Sequence, residues 1–179
     1  MTKSSKASKI IEPPVPDLLE PLCEGDGPWR PNVAALILRK GGTEILMGER
    51  VDTPGAWQWP QGGLDPGEEA EVGLRREMKE EIGTDNFTIL HRFPFLLRYR
   101  FPKRLGKKFK PRVGQEQIYY IVELHEEPDL AKAEHEEFGA LCWKPLDQAL
   151  DSPIWFKREV YKAALQYARE IATELNFAQ

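Results

Sequence analysis

The chain has 179 residues, 41% of them hydrophobic and 30% charged, and its 25 basic and 29 acidic residues leave a net charge of −4. That composition suits one globular domain with a sizeable core, and it excludes global disorder, collagen-like repetition and a coiled-coil rod. The longest apolar run, residues 33–38, is far too short for a bilayer-spanning helix.

Residues 1–25 read as a flexible N-terminal tail. Lys3, Lys6 and Lys9 stand among serines with no apolar stretch behind them, so no signal peptide is expected. Pro13, Pro14 and Pro16 bar a helix or central strand. The folded domain is expected over 26–179. Two cysteines, Cys23 and Cys142, cannot form a disulfide framework, and no CxxC spacing suggests zinc. Both are read as buried, inert thiols in a reducing cytoplasm.

Residues 32–38 are aliphatic and β-branched and predict a buried strand. Gly41-Gly42 predicts a hairpin turn into a second strand over 43–50. Pro54-Gly55 breaks the chain, and Pro60, Gly62, Gly63, Pro66 and Gly67 predict a bent loop. A helix is predicted over 68–82, with Glu68, Glu69 and Glu71 at its positive end and Gly83 just past its last turn. Strands are predicted over 87–101, with Pro94 interrupting, then over 117–124 and 138–143. A long amphipathic helix follows from 154 to about 175, with Val160, Ala164, Ala168 and Ile171 on its apolar stripe. The order predicts a mixed α/β domain with helices covering a sheet.

Charge is segregated. Arg98, Arg100, Lys103, Arg104, Lys107, Lys108, Lys110 and Arg112 follow one another with no acid between them. Acidic clusters occupy 68–81 and 123–137. Acids that hold a cation beside bases that hold a polyanion would give this pattern, and so would two solvated loops of opposite sign.

At 100° per residue, Glu77, Glu80 and Glu81 share one helix face with Ala70, Gly73 and Leu74. The small and apolar members turn that face inward. Three carboxylates there repel one another and resist desolvation, which a hard divalent cation would relieve. The plainer alternative is a solvated acidic helix end paired with Arg75, Arg76 and Lys79.

Gly62, Glu68 and the run Arg76-Glu77-Met78-Lys79-Glu80-Glu81-Ile82-Gly83 resemble the Nudix box, in which G, five residues, E and seven residues precede REUxEExGU. Thr84 stands where the pattern has an aliphatic residue, so a local packing change is expected. The resemblance implies an α/β/α sandwich with a mixed sheet between helices. It also implies Mg²⁺-dependent hydrolysis of a substituted nucleoside diphosphate, with Mn²⁺ as a substitute. It makes Glu77, Glu80 and Glu81 metal ligands, with the Gly62 carbonyl beside them. It also makes Glu68 and Arg76 a pair that fixes the box.

The match extends further. WQWPQGG at 57–63 and RPNV at 30–33 resemble a branch containing RNA 5′-pyrophosphohydrolases and dinucleoside polyphosphate hydrolases, as do Leu97-Arg98-Tyr99 with Pro102-Lys103-Arg104, and FKREVY at 156–161. Another glutamate before a Phe joins the metal site in that branch. Glu137 fits best, with Glu134 and Glu136 nearby. The general base would be Glu137, Glu80 or Glu81. Arg30, Arg50, Lys103, Arg104 and Lys157 would bind substrate, and Tyr99 and Phe156 would stack on unpaired bases or pack in the core.

The leading expectation is removal of pyrophosphate from triphosphorylated RNA 5′ ends. The alternatives are asymmetric cleavage of dinucleoside polyphosphates such as Ap4A, or a non-catalytic nucleotide-binding or RNA-binding Nudix module. No membrane and no obligate protein partner is expected.

Overall fold

The computed structural model describes residues 28–103, 108, 110–151 and 153–177. The expected tail, Cys23, Arg104 and Lys107 lie outside them. The elements are β1 (Trp29–Arg39), β2 (Glu44–Arg50), β3 (Trp57–Gln58), β4 (Gln61–Gly63), α1 (Ala70–Ile82), β5 (Phe87–Arg100), β6 (Gly114–Leu124), β7 (Phe138–Pro145) and α2 (Arg158–Ile171). Among the described residues, no helix is long and apolar enough to cross a membrane.

The sheet runs β3-β2-β1-β6-β5, with β4 paired to β1 and β7 to β2. β1 and β6 are parallel, and the other pairs are antiparallel. The continuous apolar character of β1 follows from burial on both faces. Val33, Ala35 and Ile37 join Leu74, Met78 and Ile82 of α1 in one core. Ala34, Leu36 and Leu38 join Val160, Ala164 and Ala168 of α2 in the other. The result is the expected sandwich. In the second core Trp59 stacks on Tyr161 at 3.6 Å between ring centroids.

Several elements differ from the sequence reading. The bent loop after Pro60 contains β4, whose residues Gln61, Gly62 and Gly63 pair with Ala34, Val33 and Asn32. α1 starts at Ala70 because the Glu69 backbone is extended and forms the N-cap; the Glu68 side chain ahead of it accepts the Asp65 N–H at 2.9 Å and pairs with Arg76. β5 continues through Pro94 with a register shift between Arg92 and Leu96. It is an edge strand, where a missing N–H is tolerated. The predicted C-terminal helix divides into a 3₁₀ turn at Trp155–Lys157, then α2, then a second turn at Ala172–Glu174.

Cys142 is exposed on β7, contrary to expectation. Along β7 the side chains of Phe138 and Cys142 meet different surroundings, buried and exposed. Thr84 is buried, and its hydroxyl donates to Glu126 and accepts the Asn86 N–H at 3.1 Å. The polar side chain at that box position is thus satisfied rather than solvated.

Candidate active site

A cavity of about 590 Å³ opens where β1, β4 and α1 meet the loops before β7 and α2. It is lined by the carboxylates Glu77, Glu80, Glu81 and Glu137 and, among them, by the cationic and aromatic side chains of Arg30, Arg50, Lys157, Tyr99 and Phe156. A cavity of about 650 Å³ lies between β5 and the end of α2, beside His91, Pro94, Tyr167 and Ile171. The box carboxylates and arginines converge on the smaller one.

β4 brings the glycines against α1. A Cβ on Gly62 would fall 1.8 Å from Glu77 Cδ, and one on Gly63 would fall 2.4 Å from an Arg30 guanidinium nitrogen. Below them lies a buried amide network. Gln117 Nε2 donates to Asn32 Oδ1 at 2.8 Å and to Gln61 Oε1 at 3.1 Å. Tyr119 donates to Gln117 Oε1 at 3.0 Å. This satisfies the polar groups that carry the site into the core.

Arg76 fastens the box. Its guanidinium donates to both Glu68 oxygens at 2.8 and 2.9 Å and to the Gly63 carbonyl at 2.8 Å. It also reaches Glu77 at 2.7 Å and Glu80 at 3.2 Å. The Arg76 hydrogen bonds, with the Asp65 N–H, hold the Glu68 pKa down to about 2. For Glu77, burial pushes the carboxyl upward while Arg76 opposes it.

Glu81 is only 5% exposed and accepts the Gln61 N–H at 3.0 Å. Burial, then the charges of Glu137 and Glu77, push its pKa well above the ordinary carboxylate range. Glu137 accepts from Arg50 and, at 3.3 Å, from Gln58 Nε2. Glu80 also faces His135, whose Nδ1 is 3.4 Å away.

Lys157 is buried, and its Nζ donates to Gln58 Oε1 at 3.1 Å. Burial and the nearby Arg50 charge pull its pKa down to about 7. Phe156 sits between Tyr99, at 5.7 Å between centroids, and Trp155, at 5.5 Å. Tyr99 is itself buried in the core, and its hydroxyl donates to Gln115.

Not every expected residue arrives. Lys103 is exposed and absent from the cavity lining, whereas Lys108 lines it. Arg104 lies outside the described residues. Glu134 and Glu136 do not line the cavity, which leaves Glu137 as the loop glutamate placed there. Arg98 serves the fold: it is buried, ion-paired with Glu116 and 5.2 Å from the Trp29 ring centroid. The sequence reading missed Asp52, which pairs with Arg50, as well as Gln58 and His135. Gln58 stood inside the quoted WQWPQGG run, whereas His135 had no motif around it.

Among the described residues, no three acid, imidazole or thiol groups already converge as a metal site. Glu77, Glu80 and Glu137 are turned toward Arg76 and Arg50 instead. The donor chemistry nevertheless fits a divalent cation. All the candidate donors are oxygen, and Glu81 is a buried carboxylate raised by neighbouring acids.

The chain belongs to the NUDIX domain family, whose model matches residues 28–165. More narrowly, it is 40% identical over 146 residues to an RNA pyrophosphohydrolase of a Nitratiruptor species, covering 79% of this chain and 94% of that protein. It is 39% identical over 143 residues to an RNA pyrophosphohydrolase of Helicobacter pylori, covering 78% and 92%. The E. coli dihydroneopterin triphosphate pyrophosphohydrolase has the same fold, with a TM-score of 0.60 at 18% identity over 78% of this chain and 98% of that one.

Proposed function

We propose that this chain is a Mg²⁺-dependent hydrolase that removes pyrophosphate from triphosphorylated RNA 5′ ends in the cytoplasm. One observation carries the reading: a single cavity is lined by Glu77, Glu80, Glu81 and Glu137 together with cationic and aromatic side chains. The family membership and the names of the two bacterial relatives support it.

Glu77, Glu80, Glu81 and Glu137 would hold the cation, with the Gly62 carbonyl alongside. Bound Mg²⁺, or Mn²⁺ in its place, would offset the charge that develops on the phosphoryl oxygens. Arg30, Arg50 and Lys157 supply positive charge for the polyphosphate. One carboxylate among Glu80, Glu81 and Glu137 takes a proton from the attacking water. Water adds to phosphorus as the anhydride bond breaks, leaving a 5′ monophosphate and pyrophosphate. Phe156 offers an apolar face to the first unpaired bases, and Tyr99 supports it from behind.

The test is product analysis with Mg²⁺ on triphosphorylated RNA and on Ap4A side by side. Monophosphorylated RNA with released pyrophosphate, formed at higher kcat/KM than the products of Ap4A, is the expected result. Cleavage of Ap4A alone would move the assignment to dinucleoside polyphosphates. Binding of either substrate without turnover would mean a non-catalytic module.

A further inference from the structure

We propose that Trp155 is a second stacking platform, which receives a base further along the RNA than the one met by Phe156. The proposal rests on the RNA reading above and adds a residue that sets preference for substrate length.

Trp155 is 74% exposed, more than Val51, Val72 or Leu96, the other exposed large hydrophobic side chains among the described residues. The remaining tryptophans are covered. Trp59 is buried, and cationic side chains lie over the rings of Trp29, Trp57 and Trp143. Leaving this much apolar area in water has no folding benefit. What singles it out is its place: the ring adjoins Phe156, which lines the cavity.

The local backbone explains the outward placement. Trp155–Lys157 forms a 3₁₀ turn, closed by the Lys157 N–H on the Ile154 carbonyl at 2.9 Å. Three residues per turn send successive side chains about 120° apart. Phe156 and Lys157 line the cavity, and Lys157 is fixed there by Gln58. Trp155 is turned out at the cavity rim.

Its ring meets Phe156 edge-on, with 5.5 Å between centroids and 85° between planes. Bases lying on the two rings would be steeply turned relative to each other. A continuously stacked strand cannot do that, but an unpaired strand with splayed bases can. An aromatic face also accepts any base, so the platform adds affinity without sequence choice.

The experiment compares wild type, Trp155→Ala and Trp155→Phe on unstructured triphosphorylated RNAs of two and of five nucleotides. Trp155→Ala should raise KM for the longer RNA about five- to tenfold, the scale of one lost base stack. KM for the dinucleotide and kcat on both should stay unchanged. Trp155→Phe should recover most of the loss. An unchanged KM for the longer RNA, or an equal rise on both lengths, would overturn the platform while leaving RNA hydrolysis intact. Wild-type enzyme that cleaves Ap4A but neither RNA would overturn both.

Discussion

The carboxylate of Glu77 occupies the space that any side chain on residue 62 would require: a methyl group on Gly62 would lie 1.8 Å from Glu77 Cδ and 1.9 Å from one of its oxygens. The glycine's role here is close approach. Gly62→Ala must push Glu77 out of its place in the cavity lining or separate β4 from α1. Misplacement by about 1 Å at a reacting centre costs about a hundredfold in rate. We expect a loss of that order in kcat, with the far-UV circular dichroism of the variant unchanged. Near-normal turnover at saturating Mg²⁺ would exclude Glu77 from the metal site.

Glu81→Gln should lose activity and gain stability. The amide can still accept the Gln61 N–H, so the fold is kept. Loss of the charged oxygen should lower kcat by about a hundredfold or more. Burial, with Glu137 and Glu77 nearby, raises the Glu81 pKa above its unfolded value. Its contribution to stability is therefore full below the unfolded pKa and is lost as pH rises through the folded one. The metal-free variant should melt higher than wild type at neutral pH, and the two melting temperatures should converge as pH falls from the raised Glu81 pKa down to the ordinary carboxylate range. Mg²⁺ should stabilise wild type more than the variant.

Lys157 predicts an alkaline limb in the pH profile. Its pKa in the free protein is about 7. On the proposed reading the charged form binds the anionic substrate, so kcat/KM should fall as pH rises through that value. Lys157→Gln should be slower than wild type below that pH, should lack the limb, and should converge with wild type on its alkaline side. A limb unchanged in the variant would assign it to another group.

The Glu68–Arg76 pair predicts an acid-dependent loss of stability. Arg76 and the Asp65 N–H hold Glu68 at about 2, below its unfolded value. The stabilising contribution is present above the unfolded pKa and disappears as pH falls toward 2. Glu68→Gln should lower Tm at neutral pH, and the deficit should shrink across that interval. A deficit independent of pH would mean that shape rather than charge is what matters at residue 68.

Much of this was legible in the sequence because it is local. The spacing of Glu77, Glu80 and Glu81 on one helix face, with Gly83 ending the helix, depends only on residues near in the chain. The left-handed φ of 77° at Gly83 follows from its position. What escaped the reading depends on pairing between distant segments. β4 is a strand because β1 offers it partners, and its own sequence resembles a turn. Arg98 looked like part of a polyanion-binding run, yet Glu116 across the β5–β6 ladder makes it structural. His135 reaches Glu80 through the fold, with its own N–H donating to the Glu80 carbonyl at 2.9 Å. Cys142 is exposed although Phe138, four residues earlier on the same strand, is buried.

The parallel pairing of β1 with β6 has a consequence for synthesis of the chain. Asn32 lies opposite Gln117, 85 residues later, while β2 pairs with β1 only at Leu38 and Arg39. At about 5–20 residues per second, that separation corresponds to about 4–17 seconds of translation. For that interval the apolar run of β1 has no β6 partner and no α2 above it. α1 and β4 can already cover one side by then, but the face of Ala34, Leu36 and Leu38 stays a sticky, unsheltered ribbon to whatever surrounds the nascent chain. Slowing translation before residue 114 should therefore lengthen association with chaperones, whereas slowing it after residue 171 should not.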